Sequence, residues 1–259
     1  MNSNNMNIFD AYKGRVSDND LVRGLTKTRA IDLSTLQVPG TISPATIQAL
    51  YESLSCEGWS GQKGSNWVWR HAPPEYTDGH SDEVSLERAV AAHDVDAWGC
   101  QMSTSSGVQG PHLHRRRAID LVRFIGVGHY AFVELKVGSD NPLYAAFEIL
   151  GYALAYLHAK SNGWAGMGAH NVFDAERIEL TILGPDCWYM YDKRGADKKF
   201  EYKLEWLADE IANSLNEFVK AELNGMPTFT MKFRSFSGGT RDQQAADICR
   251  RAECEWWES

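Results

Sequence analysis

No run of this chain approaches the roughly 20 consecutive apolar residues that a membrane-spanning helix needs. The opening residues, Met1-Asn2-Ser3-Asn4-Asn5, are polar and carry no apolar stretch of the kind a secretory signal requires. Cysteine is scarce. The five present (Cys56, Cys100, Cys187, Cys249, Cys254) are odd in number and contain no Cys-x-x-Cys pair, which argues against a disulfide scaffold or a zinc ribbon. Basic charge is also short: 26 Lys and Arg against 34 Asp and Glu give a net charge of −8, against a protein that coats nucleic acid without specificity. There is no internal repeat, no low-complexity tract, no Gly-x-Ser-x-Gly, no Walker loop and no dinucleotide fingerprint; Gly166-Met167-Gly168 lacks the third glycine and the preceding strand. What remains is a reduced, cytoplasmic chain whose 43% hydrophobic content suffices for a real core.

The periodicities predict an α/β protein. Residues 1–40 read as a polar arm with a short helix near 17–23, and 41–259 as a single α/β domain. Ser43-Pro44 opens a helix with Ile47, Leu50, Tyr51 and Leu54 on its apolar stripe. Residues 57–80 read as a long loop with a short strand at Trp67-Val68-Trp69. Ser81-Asp82-Glu83 starts a helix running to His93, with acids in its first turn. Strands are predicted over 96–105, around Asp120, around Glu134, over 177–183 and at 188–191. Asn141-Pro142 caps a helix over 142–160. A long amphipathic helix over 203–223, a strand over 228–236 and a helix over 241–257 complete the chain.

Two of these strands are anomalous. Ala118-Ile119-Asp120-Leu121-Val122 and Phe132-Val133-Glu134-Leu135-Lys136-Val137 are apolar runs that carry charge where buried strands should have none. Burying such groups is costly unless they pair or bind an ion. A three-residue hairpin loop at Gly126-Val127-Gly128 would set Ile125 against His129 and Asp120 against Glu134. Cross-strand Cβ atoms then lie about 4.5–5.5 Å apart, near enough for two carboxylates to share one cation. A two-residue loop would put them on opposite faces.

Asp, a hairpin-sized gap and then Glu-x-Lys resembles the PD-(D/E)xK nuclease superfamily over roughly residues 81–185, with Ile119 where the pattern name has Pro. The resemblance implies a restriction-endonuclease-like core. Its central mixed β-sheet is flanked by helices in the order αβββαβ, here followed by a C-terminal helix-strand-helix. It further implies phosphodiester hydrolysis with Mg²⁺ or Mn²⁺. Asp120, Glu134 and the carbonyl of Leu135 would be metal ligands, and Lys136 would activate water or stabilise charge. The expected partner is nucleic acid, DNA before RNA, with no membrane, and cutting both strands would suit a homodimer.

Many members add an acid from the first core helix. Glu83 and Glu87 share a helix face, and Glu87, beside Leu86 and Val90, is the better placed. On the helix after Lys136, Glu148-Ile149-Leu150-Gly151-Tyr152 is similar to the Gln-x-x-x-Tyr pattern of the exonuclease-like branch, with Glu in place of Gln. Glu148 there could reach the metal or its waters. His112, His114 and Cys100 lack a fourth ligand for zinc. Basic clusters stand at residues 114–117, 193–194, 198–199 and 250–251, and the first leads into the Asp120 strand. The rival reading is a catalytically inert nuclease-fold module that binds nucleic acid or a protein partner.

Overall fold

A computed structural model describes residues 42–55, 66–71, 81–104, 118–138, 141–166, 168–192 and 199–257. The predicted arm at 1–40, most of the loop at 57–80, the His112 and His114 pair and the basic residues 114–117, 193, 194 and 198 lie outside them. Helices α1 (Pro44–Ser55), α2 (Asp82–His93), α3 (Pro142–Ser161), α4 (Glu205–Glu222) and α5 (Arg241–Arg251) surround one five-stranded sheet. Its strands are β1 (Trp98–Ser103), β2 (Ala118–Gly126), β3 (His129–Leu135), β4 (Arg177–Pro185) and β7 (Thr228–Phe236), adjacent in that order. Strands β5 (Met190–Asp192) and β6 (Lys199–Glu201) form a separate ribbon. Among the described residues no helix is long and apolar enough to cross a membrane.

β1, β2 and β3 run antiparallel, and β3, β4 and β7 run parallel. A parallel pair needs a crossover; α3 carries the chain from β3 to β4, and α4 carries it towards β7. Both faces of the sheet are therefore covered, which explains the nearly unbroken burial of β3 and β4. Side chains from α1, α3 and α4 pack with Phe132, Leu180 and Phe229 on one face. Those from α2 and α5 pack with Val133, Leu135 and Leu183 on the other. The caps act as the sequence reads: Ser81 Oγ accepts from Val84 N, and Asn141 Oδ1 accepts from Tyr144 N just ahead of Pro142. α3 is buried almost all round, because it is enclosed by the sheet, α1 and the 172–175 segment.

Both edges of the sheet are partly closed. Trp67 N donates to Ser103 O and Cys100 N to Arg70 O, which lays residues 67–70 along β1. At the other edge the Asn216 side chain from α4 both donates to Phe229 O and accepts from Phe229 N, each at 2.7 Å.

Several boundaries differ from the sequence reading. Trp188 and Tyr189 belong to a 3₁₀ turn, Asp186–Tyr189, and the strand begins at Met190. The last helix ends at Arg251 and widens into a π turn, Ala252–Trp256. The β2–β3 hairpin is not a three-residue loop. Gly126 pairs with His129, leaving Val127-Gly128 as the turn, and the register shifts by one residue between Phe124 and Gly126. That bulge restores the parity a two-residue turn would have broken: Leu121 pairs with Val133 and Phe124 with Tyr130. Extending the same count sets Asp120 against Glu134. Gly128 carries the turn at φ +70°, where a Cβ would meet the Glu176 side chain at 3.2 Å.

Candidate functional site

Three elements of the sheet and one helix from each layer converge at the carboxyl end of β3. Asp120 lies near the start of β2, Glu134 and Leu135 end β3, and Lys136 follows at once. Glu87 comes from the second turn of α2 and Glu148 from the second turn of α3. Burial here is deep: Glu87, Glu134 and Lys136 are only 2%, 3% and 5% exposed. The carboxyl ends of parallel strands are where open α/β sheets commonly hold ligands.

Lys136 organises the cluster. Its Nζ donates to Glu134 Oε1 at 2.6 Å and Glu148 Oε2 at 3.0 Å, and lies 3.7 Å from Glu83 Oε1. It thus ties α2, β3 and α3 together across the end of the sheet. Asp120 Oδ2 accepts the Leu135 N–H at 2.9 Å, bracing the mouth of the β2–β3 pair with a side chain. The Leu135 side chain lies in the core, so only its backbone can face the cluster. Gln101 on β1 donates its side-chain amide to Glu87 Oε2.

One ammonium is matched by Asp120, Glu134, Glu87, Glu148 and Glu83. Burial raises the Glu134 carboxyl well above its ordinary range, and Asp120 adds to the effect against the pull of Lys136. Burial, with Glu87 beside it, does the same to Asp120. Glu87 is pushed up to about 8, chiefly by burial, with Gln101 opposing and Glu134 and Glu83 reinforcing. Burial alone would lower Lys136, but Glu134, Glu148 and Asp120 outweigh it and hold the ammonium protonated. Glu134 Oε2 is buried with no hydrogen-bond partner.

The predicted residues thus come to one place, with Glu83, the other acid read from α2, beside Lys136, and Gln101 joins them. Gln101 carried no sequence signal, since nothing in a short polar-apolar strand marks a backbone reversal. Among the described residues no group of three or more His, Cys, Asp and Glu is already arranged to hold a metal ion. Lys136 Nζ stands between Glu134 and Glu148 and donates to both. The donor set is hard oxygen, which suits Mg²⁺ or Mn²⁺ rather than a soft metal. The orphaned Glu134 Oε2 is the atom with coordination to spare. Cys100 lies in the α2/α5 core, where burial, with Glu87 adding to it, raises its thiol to about 11.

The chain matches no protein-family model, no curated protein and no solved structure.

Proposed function

We propose that this chain is a Mg²⁺- or Mn²⁺-dependent nuclease that hydrolyses phosphodiester bonds, with DNA as the first candidate substrate. The observation that carries the reading is the buried excess of carboxylate around Lys136, with one Glu134 oxygen unpartnered. A buried pair needs one acid for one base; extra acids at the same point raise one another's pKa and cost stability unless a cation joins them. The run α2, β1, β2, β3, α3, β4 supports the same reading, since helix, three antiparallel strands, helix and strand is the order that the PD-(D/E)xK resemblance implies.

In this reading Asp120 and Glu134 hold the ion, with the Leu135 carbonyl as a third donor. A divalent cation bound there would supply Lewis-acid polarisation and a water of lowered pKa. Asp120 is positioned by its bond to the Leu135 N–H, and Glu134 by Lys136. Lys136, held beside Glu134 and Glu148, would orient or activate the attacking water or stabilise charge developing on the phosphate. Glu148 keeps the ammonium oriented from the other side, and Glu87, whose carboxyl burial pushes up to about 8, would give up its proton to a bound cation and add its negative charge from α2. Cytoplasmic location and a homodimer cutting both strands complete the proposal.

The rival reading is an inert member of the fold that binds nucleic acid or a protein. On its side stands Lys136, which already balances part of the charge without any ion. Incubation with single- and double-stranded DNA and RNA, in Mg²⁺ or in EDTA, separates the two. Metal-dependent cleavage that is lost in Glu134→Gln supports the nuclease; no cleavage across that panel supports the inert module.

A further inference from the structure

Gln101 stands out in its backbone, in its place in the sheet and in its side-chain contact. Its φ is +51°, and Trp67 is the only other described non-glycine residue on the positive side. A side chain with a Cβ adopts that region at a cost, and such strain collects at functional sites. Second, the sheet turns over at this residue. Cys100 and its partner Leu121 face the α2/α5 core, whereas Met102 and its partner Ile119 face the α1/α3/α4 core. In a regular strand residues two apart share a face. The reversal therefore falls at Gln101 on β1 and Asp120 on β2. Third, the Gln101 amide donates to Glu87 Oε2.

These observations fit together physically. Glu87 lies among the carboxyl groups of Glu83, Glu134 and Asp120, so ionising it sets it against like charge. Left without a donor, a glutamate on a helix would rotate away from that repulsion. A lysine or arginine at position 101 would hold it but would cancel the negative charge of the site. A glutamine amide holds the carboxylate and adds no charge, and the left-handed backbone aims the amide across the sheet end towards α2.

We propose that Gln101 is a positioning residue that holds the Glu87 carboxylate over the Asp120–Glu134 pair, so that α2 contributes its acid to divalent-cation binding. This rests on the reading of the site as a metal-dependent nuclease. Gln101 touches neither Lys136 nor Glu134 by any described hydrogen bond and acts through Glu87.

The test uses the full chain and two readouts: Mn²⁺ affinity by titration calorimetry, and cleavage with its metal KM and kcat resolved. Gln101→Gly removes the amide yet suits the backbone, because glycine takes positive φ freely. A purely structural role for Gln101 leaves this variant equal to wild type in Mn²⁺ affinity. A positioning role weakens Mn²⁺ binding by about 10-fold or more, the usual cost of losing a group behind a metal ligand. The loss should reside in the metal KM more than in kcat. It should also disappear in a Glu87→Gln background, since both changes break one interaction. Gln101→Asn, which tolerates the left-handed region but holds its amide one methylene short, should show the same loss and guards against a folding failure of the glycine variant. Circular dichroism monitors the fold of each. If wild type binds Mn²⁺ and cleaves while both variants match it, the positioning role is overturned and the nuclease reading stands. Additive losses in the double variant also overturn it. If wild type neither binds Mn²⁺ nor cleaves, the nuclease reading fails and takes this inference with it.

Discussion

Lys136 Nζ and Glu134 Oε1 lie 2.6 Å apart at the buried end of β3, two residues apart in sequence and tied on to Glu148 of α3. This contact decides what substitutions there should do to folding. Lys136→Ala strips the one cation from several buried acids. Breaking a buried pair typically costs 3–5 kcal/mol, and protonation of Glu134 would recover part of it. Lys136→Ala should melt well below wild type, whereas Lys136→Ala/Glu134→Gln should recover part of the loss. Equal melting temperatures for wild type and Lys136→Ala would show the cluster to be solvated.

Metal linkage gives a second expectation. A ligand bound only by the folded state stabilises it by about 2.7 kcal/mol at 100 times its dissociation constant. Saturating Mg²⁺ or Mn²⁺ should raise the melting temperature of wild type, and Glu134→Ala should abolish the response. Scanning calorimetry with and without EDTA measures it. An identical metal response in wild type and Glu134→Ala would place the binding elsewhere.

The pH dependence has a fixed sign. Glu87 rises from 4.5 to about 8 on folding, and Asp120 and Glu134 move the same way. The folded state then holds these protons more tightly than the unfolded chain. The contribution is complete below pH 4.5 and is lost as pH rises towards 8, so metal-free protein should lose stability between pH 5 and pH 8. Asp247 acts oppositely, since its pairing lowers it to about 2 and its stabilisation is lost only in strong acid. Glu87→Gln should flatten the descent between pH 5 and pH 8. Adding Mg²⁺ should shift the balance towards high pH, because ionised carboxylates bind it better. A wild-type melting curve that is level across this range would contradict the burial argument.

Away from the site, Arg234 joins Glu179 through paired bonds of 2.9 and 3.0 Å and donates to the Trp256 carbonyl at 2.6 Å. Arg234→Ala should cost roughly 3 kcal/mol, leaving Glu179 buried without its partner. It should also free the π turn at Ala252–Trp256, read as a change in tryptophan fluorescence from Trp256 and Trp257. Arg234→Met/Glu179→Met should restore most of the stability. A urea series on the three proteins supplies the comparison.

Much of this fold was legible because its signals are local. Ser81 and Asn141 announce their helices by capping chemistry, and the alternation of Phe229 and Met231 with Thr228 and Thr230 announces β7. The Asp120–Glu134 relationship was legible for a different reason: charge in an otherwise apolar strand is costly enough to demand an explanation. The route to it was less legible. A two-residue turn with a bulge and a three-residue loop give the same strand parity, so the sequence pattern could not choose between them. Gln101 was invisible because its conformation is imposed by the neighbouring strands and by Glu87, not by its own preference. Glu83 was legible from its spacing to Glu87, yet its reach to Lys136 depends on where α2 docks. The Glu148 contact with Lys136 likewise depends on how α3 crosses the sheet end.

Asn216 has a consequence beyond the fold of a single chain. A strand added alongside β7 would have to offer one donor and one acceptor to Phe229, and the Asn216 amide already occupies both. It therefore acts as a stopper against strand-by-strand growth from that border, the route by which exposed sheets recruit foreign chains and aggregate. Replacing it with leucine would keep the bulk of the side chain, remove the plug and leave Phe229 open to pairing with a foreign strand.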